Sequence, residues 1–338
     1  MKLTYPTSKT VLGGMFMAAC LVSVALAGAM LGQQRPSGYH LVKTAKLPGA
    51  DGWDYLGIDP QSRRLFVSRE THVAVLGGIA DTPGVHGIAI AAELGRGFTS
   101  NGEANNVTIF DLTTLKSVGQ VPTGKEPDAI VHDPASHRVF AMNADSGSST
   151  AIDGATGKVA GEVKLPGGPE FAVADGHGAV FVNIRRKSEL AEIDSQSLKM
   201  TSEWPLAPCK SPSGMAMDRE HACLFIGCDN KMMAVVDAKS GKVITTVPIG
   251  GGVDANRFDP GTDLAFSSNG DTGTLTVVRE ETPDKYTVVE NVRTGEGART
   301  MEVVPKTHNV YLVTAKLVPA KPYPKPAPGT VQLLIFAK

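Results

Sequence analysis

Glu126-Pro127-Asp128-Ala129-Ile130-Val131, then Asp133-Pro134, then Arg138-Val-Phe-Ala-Met-Asn143, decides the fold. The first run is short and apolar. An Asp-Pro corner then turns the chain. The second run returns as a β-branched and aromatic strand. Thr150–Asp153 then reads as a third strand and Val159–Leu165 as a fourth. Four short strands joined by tight turns make one antiparallel sheet, which needs neighbours to bury its two faces.

The phrase recurs. Equivalent corners fall at Asp59, Ala91, Asp133, Asp175, Asp218, Asp259 and Val304, with steps of 32, 42, 42, 43, 41 and 45 residues. The hairpin between the third and fourth strands has its own subrepeat: Asp111–Lys116, Asp153–Lys158, Asp194–Lys199 and Asp237–Lys242. A period near 42 with up to four strands per unit predicts an all-β, seven-bladed β-propeller. The strand Tyr39–Leu47 stands apart from any unit, while the last unit ends after a third strand. The N-terminal strand 39–47 is therefore expected to complete the last blade and close the ring without open edges.

Two units depart from the repeat. The first step is about ten residues short and 76–83 lacks the Asp…Lys hairpin, so the first blade is expected to be shortened, with a stunted or missing outer strand. In the last unit, Pro319, Pro322, Pro324, Pro326 and Pro328 separate strand Val310–Thr314 from strand Val331–Phe336. That stretch predicts extended polyproline geometry rather than sheet, projecting as a loop or partial lid over one face.

The N-terminus belongs to another class. Lys2 and Lys9 precede an apolar run from Val11 to about Ala27 that ends Ala25-Leu26-Ala27. This pattern predicts a signal peptide over 1–27, a flexible lead over 28–38 and a single propeller over 39–338, with a periplasmic or secreted destination. An uncleaved membrane anchor and a lipoprotein at Cys20 are the competing readings. Cleavage leaves 31 basic against 34 acidic residues, a charge of −3, which makes nucleic acid an unlikely partner. Export also leaves Cys209, Cys223 and Cys228 in an oxidising compartment. Cys209 lies nine residues before a corner and Cys228 ten after it, on one face of one unit, so a Cys209–Cys228 disulfide is expected, with Cys223 a buried thiol. A Cys209–Cys223 bridge or a free Cys228 is the alternative.

The units Val180-Phe-Val-Asn183 with Leu190-Ala-Glu-Ile-Asp194, and Lys242-Val-Ile-Thr-Thr-Val-Pro-Ile-Gly250, resemble the blade consensus of YVTN-repeat propellers, the YncE-like family of exported bacterial proteins. The resemblance covers about 39–338 and implies the propeller fold. It implies little about activity, since members are proposed to bind DNA or cell-surface partners. Trp53-Asp54 stands at the entry to an inner strand, not at the end of a third strand as a WD40 signature requires.

Function should lie where the blades converge. Five residues before each corner stand Asp54, His86, Asp128, Glu170, Ser213, Asp254 and Arg299, every one polar. Ten residues after (eight in the unit with the shorter turn) stand Arg69, Asn101, Asn143, Asn183, Cys228, Asn269 and Thr314. Two concentric polar rings are expected around one channel mouth, binding a small ligand, a divalent cation or an extracytoplasmic protein partner in a monomeric chain. Asp128, Glu170, Asn183 and Asp254 offer hard oxygen donors suited to Ca²⁺ or Mg²⁺, and Arg69 and Arg299 could instead balance the acids. Lactonase-like hydrolysis or lysis is the alternative: a metal among Glu170, Asp254 and Asn183, with His86 and Glu170 as catalytic candidates. DNA binding, as proposed for some relatives, stands third.

Overall fold

Residues 36–49, 51–75, 79–321 and 324–338 are described by a computed structural model. The expected signal peptide lies outside them, as does most of the lead. Ser37, near the end of that lead, is held: its backbone N–H and hydroxyl both donate to Glu290.

Each repeat becomes a radial sheet of antiparallel strands in simple up-and-down order, and seven sheets make the propeller. Blades 2 to 6 have four strands each, starting at Val85, Pro127, Pro169, Pro212 and Val253. Blade 1 has three, Leu56–Asp59, Arg64–Arg69 and His72–Ala74, with no fourth among the described residues. Blade 7 is built from both chain ends: His40–Lys46 pairs with Gln332–Ala337, which pairs with Asn309–Thr314 and then Met301–Val304. The sequence expectation of closure by the N-terminal strand and of a shortened first blade holds.

The corner aspartates explain the turns. Asp133 accepts from the N–H of Ala135 and Ser136 and from the Ser136 hydroxyl; Asp59, Asp175, Asp218 and Asp259 accept from the same neighbouring turn positions. A carboxylate thus satisfies the turn backbone at five of the seven blade bases, the corners at Ala91 and Val304 having none. Arginines opening the second strands tie blades together: Arg64 donates to the Leu112 carbonyl, Arg96 to Gly154 and Arg138 to Ser195 and Gln196 in each following blade. Apolar residues fill the spaces between sheets, with Phe66, Phe98, Phe140, Phe225 and Phe266 fully buried.

Two features differ from the sequence expectation. The Pro-rich stretch carries a two-residue ladder, Leu317–Val318 with Lys325–Pro326, because its prolines stand where no N–H is required of them. In blade 6 the outer hairpin strands, Thr274–Thr282 and Lys285–Arg293, run nine residues where the other blades' outer strands run seven or fewer.

Candidate functional site at the channel mouth

The inner strands do not enter their sheets regularly. In blade 3, Pro127 pairs with Asn143 but Ile130 pairs with Ala141, so Asp128 and Ala129 share one partner, Met142. The same two-against-one bulge occurs at His86–Gly87, Glu170–Phe171 and Ser213–Gly214, and blade 6 is irregular at Asp254. A bulge bends the strand and re-aims the side chain. Here it turns the second residue of the inner strand in blades 2 to 6 toward the axis, while Asp54 and Arg299 stand just before the inner strands of blades 1 and 7.

These residues form a continuous arc. Asp128 Oδ1 lies 3.9 Å from His86 Nδ1, which lies 2.6 Å from Asp54 Oδ2. Asp54 Oδ1 is 3.7 Å from Arg299 Nη2, and Arg299 Nε donates to Asp254 Oδ2 at 2.9 Å. Ser213 Oγ lies 3.1 Å from Asp254 Oδ1 and 3.3 Å from Glu170 Oε1. All seven inner-ring positions are joined, and the arc breaks once, between Asp128 of blade 3 and Glu170 of blade 4.

Backbone staples hold the arc in place. Ser68 Oγ donates to the His86 carbonyl at 2.6 Å, Ser100 to Asp128, Asn183 Nδ2 to Ser213 at 2.5 Å and Ser268 to Arg299. Thr300 Oγ1 closes the circle on the Asp54 carbonyl at 2.7 Å. Each bond fixes the peptide that carries a mouth side chain in the next blade.

The second ring is a correction: it does not line the mouth. Asn101, Asn143 and Asn269 are fully buried, and each amide donates to residues of the third strand in its own blade. Asn101 meets Asn106 and Thr108, Asn143 meets Ser148 and Thr150, and Asn269 meets Thr274 and Thr276. Asn183 is one residue out of register with them, since Ile184 holds the equivalent pairing to Pro169; its amide is the staple to Ser213. Asn183 therefore leaves the expected cation set of Asp128, Glu170 and Asp254. Arg69 is buried too, donating to the carbonyls of Pro48, Asp51 and Gly52, so it holds the loop before blade 1 rather than the acids. Thr314 donates to the Glu296 carbonyl. Cys228 is bonded to Cys209 as expected, and Cys223 is a free buried thiol.

Sequence reading missed five residues at and beneath the mouth. Arg185, in the 3₁₀ turn after the second strand of blade 4, donates to Glu170 Oε1 and lies 3.1 Å from Asp229. Tyr55 and Phe171 follow ring positions, so their bulges bring them under it, with centroids 5.2 Å apart in an edge-to-face pair. Their apolar character hid this role. Lower down, Arg257 Nε meets Glu302 Oε1 at 3.1 Å and its guanidinium lies over the Phe171 ring. Phe171, Arg257 and Glu302 border both a small cavity under Tyr55 and a larger one of ≈ 340 Å³ lined by Ile90, Val173 and Met217.

The electrostatics follow from this packing. Burial first, then the charge of Asp54 and of Glu170 and Asp254 against the opposing His86, pushes Asp128 well above the usual carboxylate range. Glu170 is raised by burial, opposed by Arg185. Asp254 is raised by burial, opposed by Arg299. Burial works against the charged form of His86, but the Asp54 hydrogen bond and the charges of Asp54, Asp128 and Glu126 prevail and lift it to about 9. Tyr55 is held protonated by burial and by the four carboxylates above it.

No protein-family model and no curated protein sequence matches the chain. Solved structures share its fold. A chain of the mitotic checkpoint complex is 12% identical with a TM-score of 0.73, covering 98% of this chain and 99% of that one. Hydrazine synthase of Kuenenia stuttgartiensis is 13% identical with a TM-score of 0.69, covering 79% and 94%. The WD40 repeats of RRP9 are 9% identical with a TM-score of 0.69, covering 90% and 99%. Identities this low carry the propeller architecture and nothing finer.

Proposed function

We propose that this chain is an exported propeller of the YVTN-repeat, YncE-like kind that binds a small organic cation, an ammonium group above all, at its channel mouth. The break in the arc carries the reading. Asp128 has no hydrogen-bond donor among the described residues, and its nearest cation is the His86 nitrogen 3.9 Å away. Glu170 Oε1 accepts from Arg185 and Ser213, while no donor among the described residues meets its other oxygen. Two part-buried carboxylates on adjacent blades, beside the Tyr55–Phe171 aromatic pair, offer an ammonium ligand charge and hydrogen-bond acceptors. Propeller folds commonly serve interactions, and the Cys209–Cys228 bond is compatible with an extracytoplasmic compartment. No helix among the described residues is long and apolar enough to cross a membrane.

Calorimetric titration with n-butylammonium, against butyrate and n-butanol as charge and shape controls, tests it. Saturable binding of the ammonium alone is expected. Equal or absent binding of all three would remove the reading.

A second reading has its own observation: donor atoms of Asp54, His86 and Asp128 lie within 4.8 Å of one another, a span that could take a divalent ion. Metal-assisted hydrolysis or lysis would need that ion, with Glu170 or His86 as acid–base group. DNA binding is disfavoured by the four carboxylates at the mouth.

A further inference from the structure

A second constellation lies far from the mouth, at the base of blade 5. The corner phrase reads Asp59-Pro-Gln-Ser62, Asp133-Pro-Ala-Ser136 and Asp259-Pro-Gly-Thr262, and in each the hydroxyl donates back to the Asp carboxylate. In blade 5 it reads Asp218-Arg-Glu-His221, and an imidazole replaces the hydroxyl. His221 Nδ1 lies 2.6 Å from Asp218 Oδ2 and 3.1 Å from Glu280 Oε1.

Glu280 arrives by a second departure from the repeat. It sits on the extra length of the blade 6 outer hairpin, where the strand runs on to Thr282. That extension folds back over blade 5: Tyr286 Oη donates to the Pro283 carbonyl at 2.8 Å and lies 3.3 Å from Cys223 Sγ. The Glu280 side chain is only 3% exposed, yet its Oε2 has no hydrogen-bond partner. A buried carboxylate oxygen left unpaired is costly, and it belongs to the same carboxylate that reaches His221. The donor atoms of Asp218, His221 and Glu280 all lie within 4.8 Å of one another.

We propose that Asp218, His221 and Glu280 bind a divalent transition-metal ion of the zinc class. One imidazole nitrogen and two carboxylate oxygens are borderline-to-hard donors that suit zinc better than calcium, and three protein ligands leave a position open. The burial supports an accessible site: Asp218 and Glu280 form a closed floor at 4% and 3% exposure, whereas His221 is 40% exposed and marks the entry. The ion would replace the His221 contacts to both acids and supply the partner that Glu280 Oε2 lacks. Cys223 and Tyr286 wall the site without ligating.

The test is calorimetric titration of the full chain with Zn²⁺, paired with X-ray absorption of the chain loaded with one equivalent. One high-affinity site is expected, with a coordination shell of one imidazole and light-atom ligands. Glu280→Gln and His221→Ala should each weaken it at least tenfold, while His86→Ala, at the mouth, should leave it unchanged. Absence of binding, loss in His86→Ala with retention in His221→Ala, or a sulfur scatterer in the shell would each overturn the assignment. The absorption spectrum of the unaltered chain keeps the test open should a variant fail to fold.

Discussion

His86 Nδ1 sits 2.6 Å from Asp54 Oδ2 across the boundary between blades 2 and 1. Burial alone would favour neutral imidazole, and that contact, together with the charges of Asp128 and Glu126, overrides it. With a folded pKa of about 9 against roughly 6.5 unfolded, the contact's stabilisation is fully present below about pH 6.5 and is lost as pH rises through 9. NMR titration of the His86 ring should show a midpoint near 9, moving down by more than one unit in Asp54→Asn. A midpoint unchanged by that substitution would mean that another group holds the proton.

Asn269 belongs to the blade, not the mouth. Its amide donates to Thr274 at 3.2 Å and Thr276 at 2.9 Å, and its oxygen accepts from Ser267. Asn269→Ala leaves the buried Ser267 hydroxyl without its acceptor and removes the amide donor to Thr276, and should cost about 1–3 kcal/mol in denaturant unfolding. Ammonium binding at the mouth should not change.

The Cys209–Cys228 bond closes a loop of sequence separation 19 beside the mouth. Replacing both cysteines with serine should lower stability by about 3 kcal/mol, because the unfolded chain regains the loop's freedom. Cys223 should react with thiol reagents only after unfolding, since it is buried in blade 5.

Arg185 competes with any cationic ligand for Glu170. Arg185→Gln removes the cation that opposes burial there, so the Glu170 pKa should rise further and n-butylammonium should bind several-fold more tightly near pH 8. Weaker binding would instead make Arg185 part of the recognition surface. Isothermal titration distinguishes the two.

Most of the fold was legible because the repeat writes its own turns: each corner Asp accepts from the turn backbone that follows it, so its spacing is the blade spacing. The inner ring was legible for the same reason, being counted from those corners. The second ring was misread because position along a strand does not tell which way a terminal side chain turns. Asn143 turns into its own hairpin, and Asn183 sits one register step away. Arg185 escaped notice because it lies beyond the strand in a 3₁₀ turn, and Glu280 because nothing in the repeat signals a hairpin three residues longer. Both are departures from periodicity, where pattern reading is weakest and where the candidate chemistry concentrates.

Trp53 offers the most direct test of the mouth itself. The Arg299 guanidinium lies 5.9 Å over its ring and donates to its carbonyl, and Trp204 is the only other tryptophan in the sequence. In a Trp204→Phe background, titration with n-butylammonium should change Trp53 fluorescence saturably, and Asp128→Asn with Glu170→Gln should weaken that response at least tenfold. An identical titration in the doubly substituted chain would contradict a cation site built from those two carboxylates.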